Sequence, residues 1–118
     1  MTHPIVRWQL VTPDPDGAAR FFGQLFDWSV TGANAIGYRE VATGDGSLAG
    51  GIWPAPPGAS PFVQLFVAVP DVADSIRKAE ELGGKAVVPR TVLPDGDVMA
   101  VVQDPTGLTV GLASLRER

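Results

Sequence analysis

The sequence predicts an α+β fold of two tandem βαβββ modules, forming a cup-shaped, partly closed mixed sheet with the helices outside. Three observations support this prediction. The order strand, Pro-Asp, helix occurs twice, and Pro13-Asp14 and Pro70-Asp71 lie 57 residues apart. A glycine turn recurs late in each copy, at Gly46 and at Gly107. The two copies fill the chain of 118 residues, a length that suits one compact structural domain.

Residues 1–56 form the first predicted module. Ile5–Val11 alternates apolar and polar side chains, which is typical of a strand with one polar face. The aspartates that follow this strand can cap a helix that ends near Phe26. The apolar side chains of the helix are predicted to form one face, made of Ala18, Phe21, Phe22 and Leu25. Three short strands are predicted next, over 28–30, 37–43 and 48–53.

A proline-rich linker at 54–58 leads into the second module, predicted over residues 57–118. Phe62–Val69 is a predicted strand, and Asp71 can cap a helix that Gly83 ends with a left-handed conformation. The buried face of this helix is predicted to consist of Val72, Ile76, Ala79 and Leu82. Three strands are predicted after it, over 85–88, 98–103 and 108–113.

The composition argues against several classes of protein. The chain has no cysteine, which excludes disulfides, thiolate zinc sites and cysteine nucleophiles. Its net charge is -4 without a basic run, so neither nucleic acid nor a membrane is an expected partner. We see no signal peptide and no run long enough to span a bilayer, and we expect a cytoplasmic protein. The chain has one histidine, His3, near its N-terminus, so we do not expect a Ser-His-Asp triad.

One helix cannot cover both faces of a βαβββ sheet, so the face away from the helix is expected to line a ligand-sized cavity. Alternation places Arg7 and Gln9 on this face, because Trp8 points to the helix. The predicted ligand-binding residues are Arg7, Gln9, Trp53, Phe62, Gln64 and Phe66. A guanidinium, two amides and three aromatic rings suit a planar or acidic organic molecule. The alternative is that Arg7 reaches solvent or pairs with Glu40, and that the rings only fill the cup.

Three segments of the chain carry a family resemblance. They are 16–28, which spans the first helix and its end, 79–84, which ends the second helix, and the Asp-Pro-Thr-Gly turn at 104–107. In this order, and on a duplicated βαβββ unit, they resemble the vicinal oxygen chelate superfamily, which includes glyoxalase I, extradiol dioxygenases and bleomycin-resistance proteins. The resemblance covers essentially the whole chain. It implies a homodimer, because members of that superfamily commonly pair through their sheets.

Metal-dependent members of that superfamily place His or Glu ligands at four strand positions. The resemblance places these positions on Arg7, Gly51, Gln64 and Gly111. None of the four is a normal metal ligand, since arginine has no acceptor atom and glycine has no side chain. Most carboxylates of the chain fall in predicted caps and turns or on the polar face of the second helix, and only Glu40 lies within a strand. We therefore expect neither a metal nor another cofactor.

These observations leave several functions open. The first is a glyoxalase- or bleomycin-resistance-like protein that binds a small organic molecule in the sheet cavity without a metal. The second is a metal-free lyase or isomerase, in which Arg7 stabilises an enolate-like intermediate and Glu40 accepts a proton. A metal-dependent glyoxalase- or dioxygenase-type enzyme remains a third possibility, and a degenerate subunit that only oligomerises is a fourth.

Overall fold

A computed structural model describes residues 2–114 of the chain. This part divides into two compact units, one formed by Val6–Gln64 and the other by residues 65–114 together with residues 2–5. Within it, the elements are β1 (Ile5–Thr12), α1 (Pro15–Phe26), β2 (Ser29–Val30), β3 (Arg39–Ala42), β4 (Ala49–Pro54), β5 (Phe62–Ala68), α2 (Val72–Glu81), β6 (Lys85–Val92), β7 (Val98–Gln103) and β8 (Thr109–Ser114).

The first unit is a mixed sheet with one helix. Its strands are ordered β2-β3-β4-β1, with β1 parallel to β4 and the other neighbours antiparallel. The predicted cap is present, because the Asp14 carboxylate accepts a hydrogen bond from the Gly17 amide at 3.0 Å and Pro15 opens the helix. The helix ends where Asp27 adopts a left-handed conformation, with φ of 59°.

The apolar face predicted for α1 is only partly correct. The Phe22 ring stacks on Trp28, and Trp28 in turn lies 5.5 Å from the Trp8 ring between centroids. This aromatic group determines which side of α1 faces the sheet, because rings offer more area to bury than the alanines beside them. Phe21 and Leu25, in contrast, are exposed over 61% and 58% of their surface.

The second unit repeats this architecture with the strand order β5-β8-β7-β6 and β5 parallel to β8. Asp71 caps α2 by accepting from the Asp74 amide at 3.0 Å, as predicted. The core packs α2 against the sheet through Val69, Val72, Val98, Ala100 and Leu112. Leu82 was predicted to be buried but is mostly exposed, because α2 ends at Glu81 and its last turn projects beyond the core.

One strand is longer than the sequence predicts. β6 extends to Val92, whereas Pro89 favoured a loop from that residue onward. The pairing of β6 with β7 shifts register twice, between Ala86 and Val88 and between Val88 and Thr91. β6 has only one neighbouring strand in this unit, and these irregularities let an edge strand contain a proline that cannot donate a hydrogen bond.

The predicted fold class, α+β with two successive βαβββ modules, is confirmed by these elements. The boundary predicted between residues 56 and 57 stays a prediction. Neither of the two described helices is long and apolar enough to cross a membrane.

Candidate functional site

The sheet of the first unit has one face that carries polar side chains. Gln9 pairs with Gly51 and Val11 pairs with Trp53 in the parallel β1–β4 ladder, while Glu40 of β3 pairs with Gly51. Since paired residues point to the same side of a sheet, Gln9, Glu40 and Trp53 share a face, and Arg7 shares it two residues before Gln9. The α1 helix covers the opposite face, where the Trp8 ring lies over Gly50. The structure thus brings together three predicted ligand-binding residues and the second catalytic candidate.

Tyr38 lies at the centre of this polar face. Its hydroxyl accepts a hydrogen bond from Nη1 of Arg7 at 2.5 Å, and the Arg7 guanidinium carbon is 5.5 Å from the centroid of the Tyr38 ring. The Gln9 side chain lies close to the phenol and acts to lower its pKa. The Trp53 ring lies 6.0 Å from the Tyr38 ring between centroids. Only 8% of Tyr38 is exposed, so these contacts fix the ring in place.

The loop before β3 determines where Tyr38 lies. The Asn34 side-chain oxygen accepts hydrogen bonds from the Ile36 and Tyr38 amides, both at 3.0 Å, and the Asn34 amide donates to the Tyr38 carbonyl. Gly37 adopts a positive φ of 84°, which L side chains rarely adopt. Tyr38 is not among the site residues that the sequence predicts. An Asn–x–x–Gly–Tyr loop before a strand was its one signal, and that signal does not reveal which neighbour the ring contacts.

Tyr38 occupies the space that a side chain at position 51 would need. A Cβ added to Gly51 would meet the Tyr38 hydroxyl, Cζ and Cε1 at less than 3.0 Å, a separation that real Cβ atoms essentially never show. The second unit repeats this arrangement with other residues. Phe66 pairs with Gly111 in register, and a Cβ on Gly111 would overlap the Phe66 ring in the same way. At both glycines, an aromatic ring fills the position of the missing side chain.

These residues do not fit a metal ion. Two of the four positions that the resemblance assigns to ligands are glycines beneath aromatic rings, and Arg7 offers only N–H donors. Within residues 2–114, no group of three or more His, Cys, Asp or Glu side chains is arranged to hold a metal. Hard and borderline cations need several such groups in one place.

Within residues 2–114, no ion pair balances the charge of Arg7. Among the described residues, the ion pairs are Arg39–Asp16 and Arg77–Asp74, and Glu40 does not lie within ion-pair distance of Arg7. The pairing of Arg7 with Glu40 that the sequence left open is thus absent. A partly buried guanidinium that donates only to a neutral phenol has further N–H donors available. This arrangement favours an anionic group close to Arg7.

Burial raises the pKa of the Tyr38 phenol above its usual value of 10.0, and the nearby Glu40 charge acts in the same direction, while Arg7 and Gln9 oppose the shift. The folded state therefore holds the phenolic proton more tightly than the unfolded state does. This contribution to stability is complete below pH 10 and is lost as the pH rises through the folded pKa. Tyr38 remains a neutral hydroxyl at neutral pH.

Because Tyr38 is the only tyrosine of the chain, its titration can be read directly. We expect the phenolate absorbance of the folded protein to rise at a higher pH than that of the protein unfolded in urea. As the pH rises above 10, the free energy of unfolding of the Tyr38→Phe variant should fall less than that of the parent protein. Coincident titration curves for the folded and unfolded protein would contradict the burial of this hydroxyl.

The remaining predicted ligand-binding residues lie on β5. Gln64 and Phe66 are buried, whereas Phe62 at the start of the strand is exposed over 43% of its surface. Their predicted role in ligand binding stays a prediction. Phe66 already makes one structural contact, since its ring covers Gly111 in the second unit.

Comparison with known proteins identifies the family. The family model described as Glyoxalase/Bleomycin resistance protein/Dioxygenase superfamily matches residues 4–112, nearly the whole chain. The chain belongs to this superfamily. The superfamily resemblance stated from the sequence is thereby confirmed. The relatives found by sequence include "Putative glyoxylase CFP32" of Mycobacterium tuberculosis and of Mycobacterium bovis, each 34% identical over 112 residues.

This alignment covers 87% of the chain but only 42% of either relative, so this superfamily member spans less than half the length of those proteins. Among solved structures, methylmalonyl-CoA epimerase of Mycobacterium tuberculosis matches with a TM-score of 0.68 at 15% identity, over 94% of this chain and 87% of that one. A glyoxalase/bleomycin resistance protein/dioxygenase superfamily member of Vibrio splendidus matches with a TM-score of 0.65 at 16% identity, over 96% and 99%. At such identities, these two structures show the shared fold.

Proposed function

We propose that this superfamily member binds a small anionic organic molecule on the polar face of its first module, without the help of a metal. The Arg7 guanidinium supports this proposal most strongly. It is partly buried, it has no carboxylate partner among the described residues, and it lies against the Tyr38 ring. A carboxylate or enolate oxygen of a ligand would supply the missing negative charge.

The neighbours of Arg7 suit the rest of such a ligand. Tyr38 accepts from Arg7, and its own hydroxyl hydrogen has no protein acceptor among the hydrogen bonds of the described residues, so it can donate to a ligand oxygen. The Gln9 amide can orient a further polar group, and Trp53 offers an aromatic surface. Phe62, Gln64 and Phe66 complete the proposed set of ligand-binding residues. No cofactor belongs to this proposal.

Binding can be tested with a panel of carboxylic acids, aliphatic and aromatic, by thermal shift followed by calorimetry. We expect at least one acid to stabilise the protein, and the Arg7→Gln variant to bind that acid about tenfold or more weakly, because a charge-assisted hydrogen bond is lost. Glu40→Gln is the matched control, since it removes a charge from the same face and should leave the affinity equal or higher. A panel without a stabilising ligand, or equal affinity in parent and Arg7→Gln, would contradict the proposal.

The absence of a metal is a separate part of the proposal, and it has a separate measurement. Protein purified without a histidine tag should contain little zinc, iron, nickel or manganese by elemental mass spectrometry. Near-stoichiometric metal would instead support the metal-dependent enzyme and would show that the positions assigned to Arg7, Gly51, Gln64 and Gly111 are wrong.

Metal-free lyase or isomerase activity is the second candidate function. The observation that supports it is the placement of Glu40 on the same face as Arg7 and Tyr38, opposite Gly51 in register. A carboxylate beside a guanidinium can accept a proton while the guanidinium stabilises the enolate that results. The two candidate functions predict different effects of replacing Glu40. Its replacement by glutamine would abolish turnover of a bound ligand in an enzyme and would leave a binding protein unaffected.

We further propose a cytoplasmic homodimer, in which α1 contributes to the contact. Phe21, Leu25 and Phe26 form an exposed apolar patch on this helix. The longer relatives contain enough additional chain for a second copy of this fold. In this protein, a second subunit would take the place of that additional copy. Sedimentation velocity should give a mass twice 12.4 kDa, and Phe21→Ser should shift it to the monomer. The control Leu82→Ser changes an even more exposed apolar side chain, at the C-cap of α2; if it dissociated the dimer as well, α1 would not be the specific contact.

A further inference from the structure

On the helix-covered side of the first unit, an open groove of about 350 Å³ lies between α1, the end of β2, the loop that follows β2 and the start of β3. The residues of the groove that bear charges or rings are Asp16, Arg20, Trp28 and Arg39. Since α1 covers the sheet face opposite to the one that carries Arg7, this groove is distinct from the proposed ligand site. Nothing in the proposed function uses it.

The two arginines of the groove differ in their partners. Nη2 of Arg39 is 2.7 Å from the Asp16 carboxylate, and Nη1 donates to the Gly37 carbonyl at 2.8 Å, so Arg39 is held in place with only 13% of its side chain exposed. Arg20 has no hydrogen bond and no ion pair within the described part of the chain. The groove therefore has a net positive charge, contributed by Arg20.

The internal repeat provides a comparison for Arg20. The residue 57 positions later is Arg77, on the equivalent turn of α2, and Arg77 forms an ion pair with Asp74 three residues before it. The residue three positions before Arg20 is Gly17, which has no side chain to offer. The first module therefore has no carboxylate at the position from which Asp74 neutralises the equivalent arginine in the second module.

The loop after β2 adds unpaired donors to the same groove. Gly32 and Ala33 line it, and neither backbone amide donates to an acceptor within the described residues. The amides on either side are used, since Thr31 donates to the Glu40 carbonyl and Asn34 donates to the Tyr38 carbonyl. Two neighbouring free amides beside an arginine are a common way to bind an oxyanion.

We infer that this groove binds the phosphate group of a small molecule, with Arg20 and the amides of Gly32 and Ala33 as its donors. A phosphate matches this arrangement better than a single carboxylate, because it presents three acceptor oxygens to donors that lie on different sides of the groove. Trp28 lines the groove as well and offers a ring to the organic part of the ligand. Asp16 opposes binding electrostatically, and Arg39 partly offsets its charge.

The test is an NMR titration of the ¹⁵N-labelled protein with inorganic phosphate, and then with phenyl phosphate. We expect saturable shifts of the Gly32 and Ala33 amides, and tighter binding of phenyl phosphate. Arg20→Gln should weaken binding about tenfold, because it removes the one unpaired cation. Asp16→Asn should strengthen binding, because it removes the negative charge of the groove.

Two controls make the result specific. Arg77→Gln removes an equivalent cation from the other helix and should leave the affinity unchanged, and Arg7→Gln should leave it unchanged as well. This second control separates the groove from the proposed carboxylate site, so that either can fail alone. The inference is overturned if tens of millimolar phosphate fail to shift the two amides, or if Arg77→Gln weakens binding as much as Arg20→Gln.

Discussion

Replacing Gly51 with alanine is expected to destabilise the protein by about 2 to 3 kcal/mol, the upper part of the range for overpacked interiors. The added methyl group would overlap the Tyr38 ring, and that ring cannot move away without losing its contacts with Arg7 and Trp53. The free energy of unfolding from urea titration measures the effect. A larger side chain, such as a glutamate that would restore a metal ligand, should cost more.

Gly32→Ala is the matched control for this substitution, because a Cβ at Gly32 meets no atom within 4 Å and its φ is not in the left-handed region. It should change the stability by less than about 0.5 kcal/mol. Removal of the ring by Tyr38→Ala should make alanine at position 51 tolerable, so that the double variant is more stable than the sum of the single effects predicts. Purely additive effects would show that Tyr38 does not lie over Gly51.

Replacing Phe66 with alanine is expected to cost about 3 to 5 kcal/mol, as is usual for the loss of a buried phenylalanine. Only 3% of Phe66 is exposed, and its ring covers Gly111. Phe62→Ala provides the comparison, since it removes the same side chain from a half-exposed position four residues earlier on β5. We expect that control to cost about 1 kcal/mol, in proportion to the smaller area that it uncovers.

The same pair of variants bears on ligand binding. If Phe66 were mainly a ligand contact, its removal would weaken binding and leave most of the stability intact. Thermal unfolding of the two variants without ligand therefore distinguishes a structural ring from a binding ring. A loss of less than about 1 kcal/mol for Phe66→Ala would contradict the structural role.

Much of the fold could be predicted because its signals are local. Asp14 and Asp71 each cap a helix through their own side chains, and Gly83 ends α2 with a positive φ, as their sequence context indicates. The duplicated order of strands and helices follows from the repeat itself. The extension of β6 beyond Pro89 could not be predicted, because it depends on register shifts against β7.

The site was harder to predict, because side chains from different strands meet there. Alternation along β1 correctly placed Arg7 and Gln9 on one face. Gly51 and Trp53 are two residues apart on β4, so the same rule placed them on a common face. Tyr38 was missed, since its ring reaches Gly51 only through the register of β3 against β4 and the hydrogen bonds of Asn34. The same limit applies to α1, where the rings of Trp8 and Trp28 determine which side of the helix is buried.

The two glycine positions are filled by rings from different places in the repeat, so the two modules are not equivalent at these positions. Phe66 belongs to the first strand of its module, where the other module has Gln9, whereas Tyr38 comes from a loop before β3. The 57-residue repeat therefore does not superimpose the two rings, although both lie over a glycine of the last strand of their module. The ring over Gly111 is a hydrocarbon, whereas the ring over Gly51 bears a hydroxyl that accepts a hydrogen bond from Arg7. Equivalent backbone positions of the two modules are thus apolar in one module and hydrogen-bonding in the other.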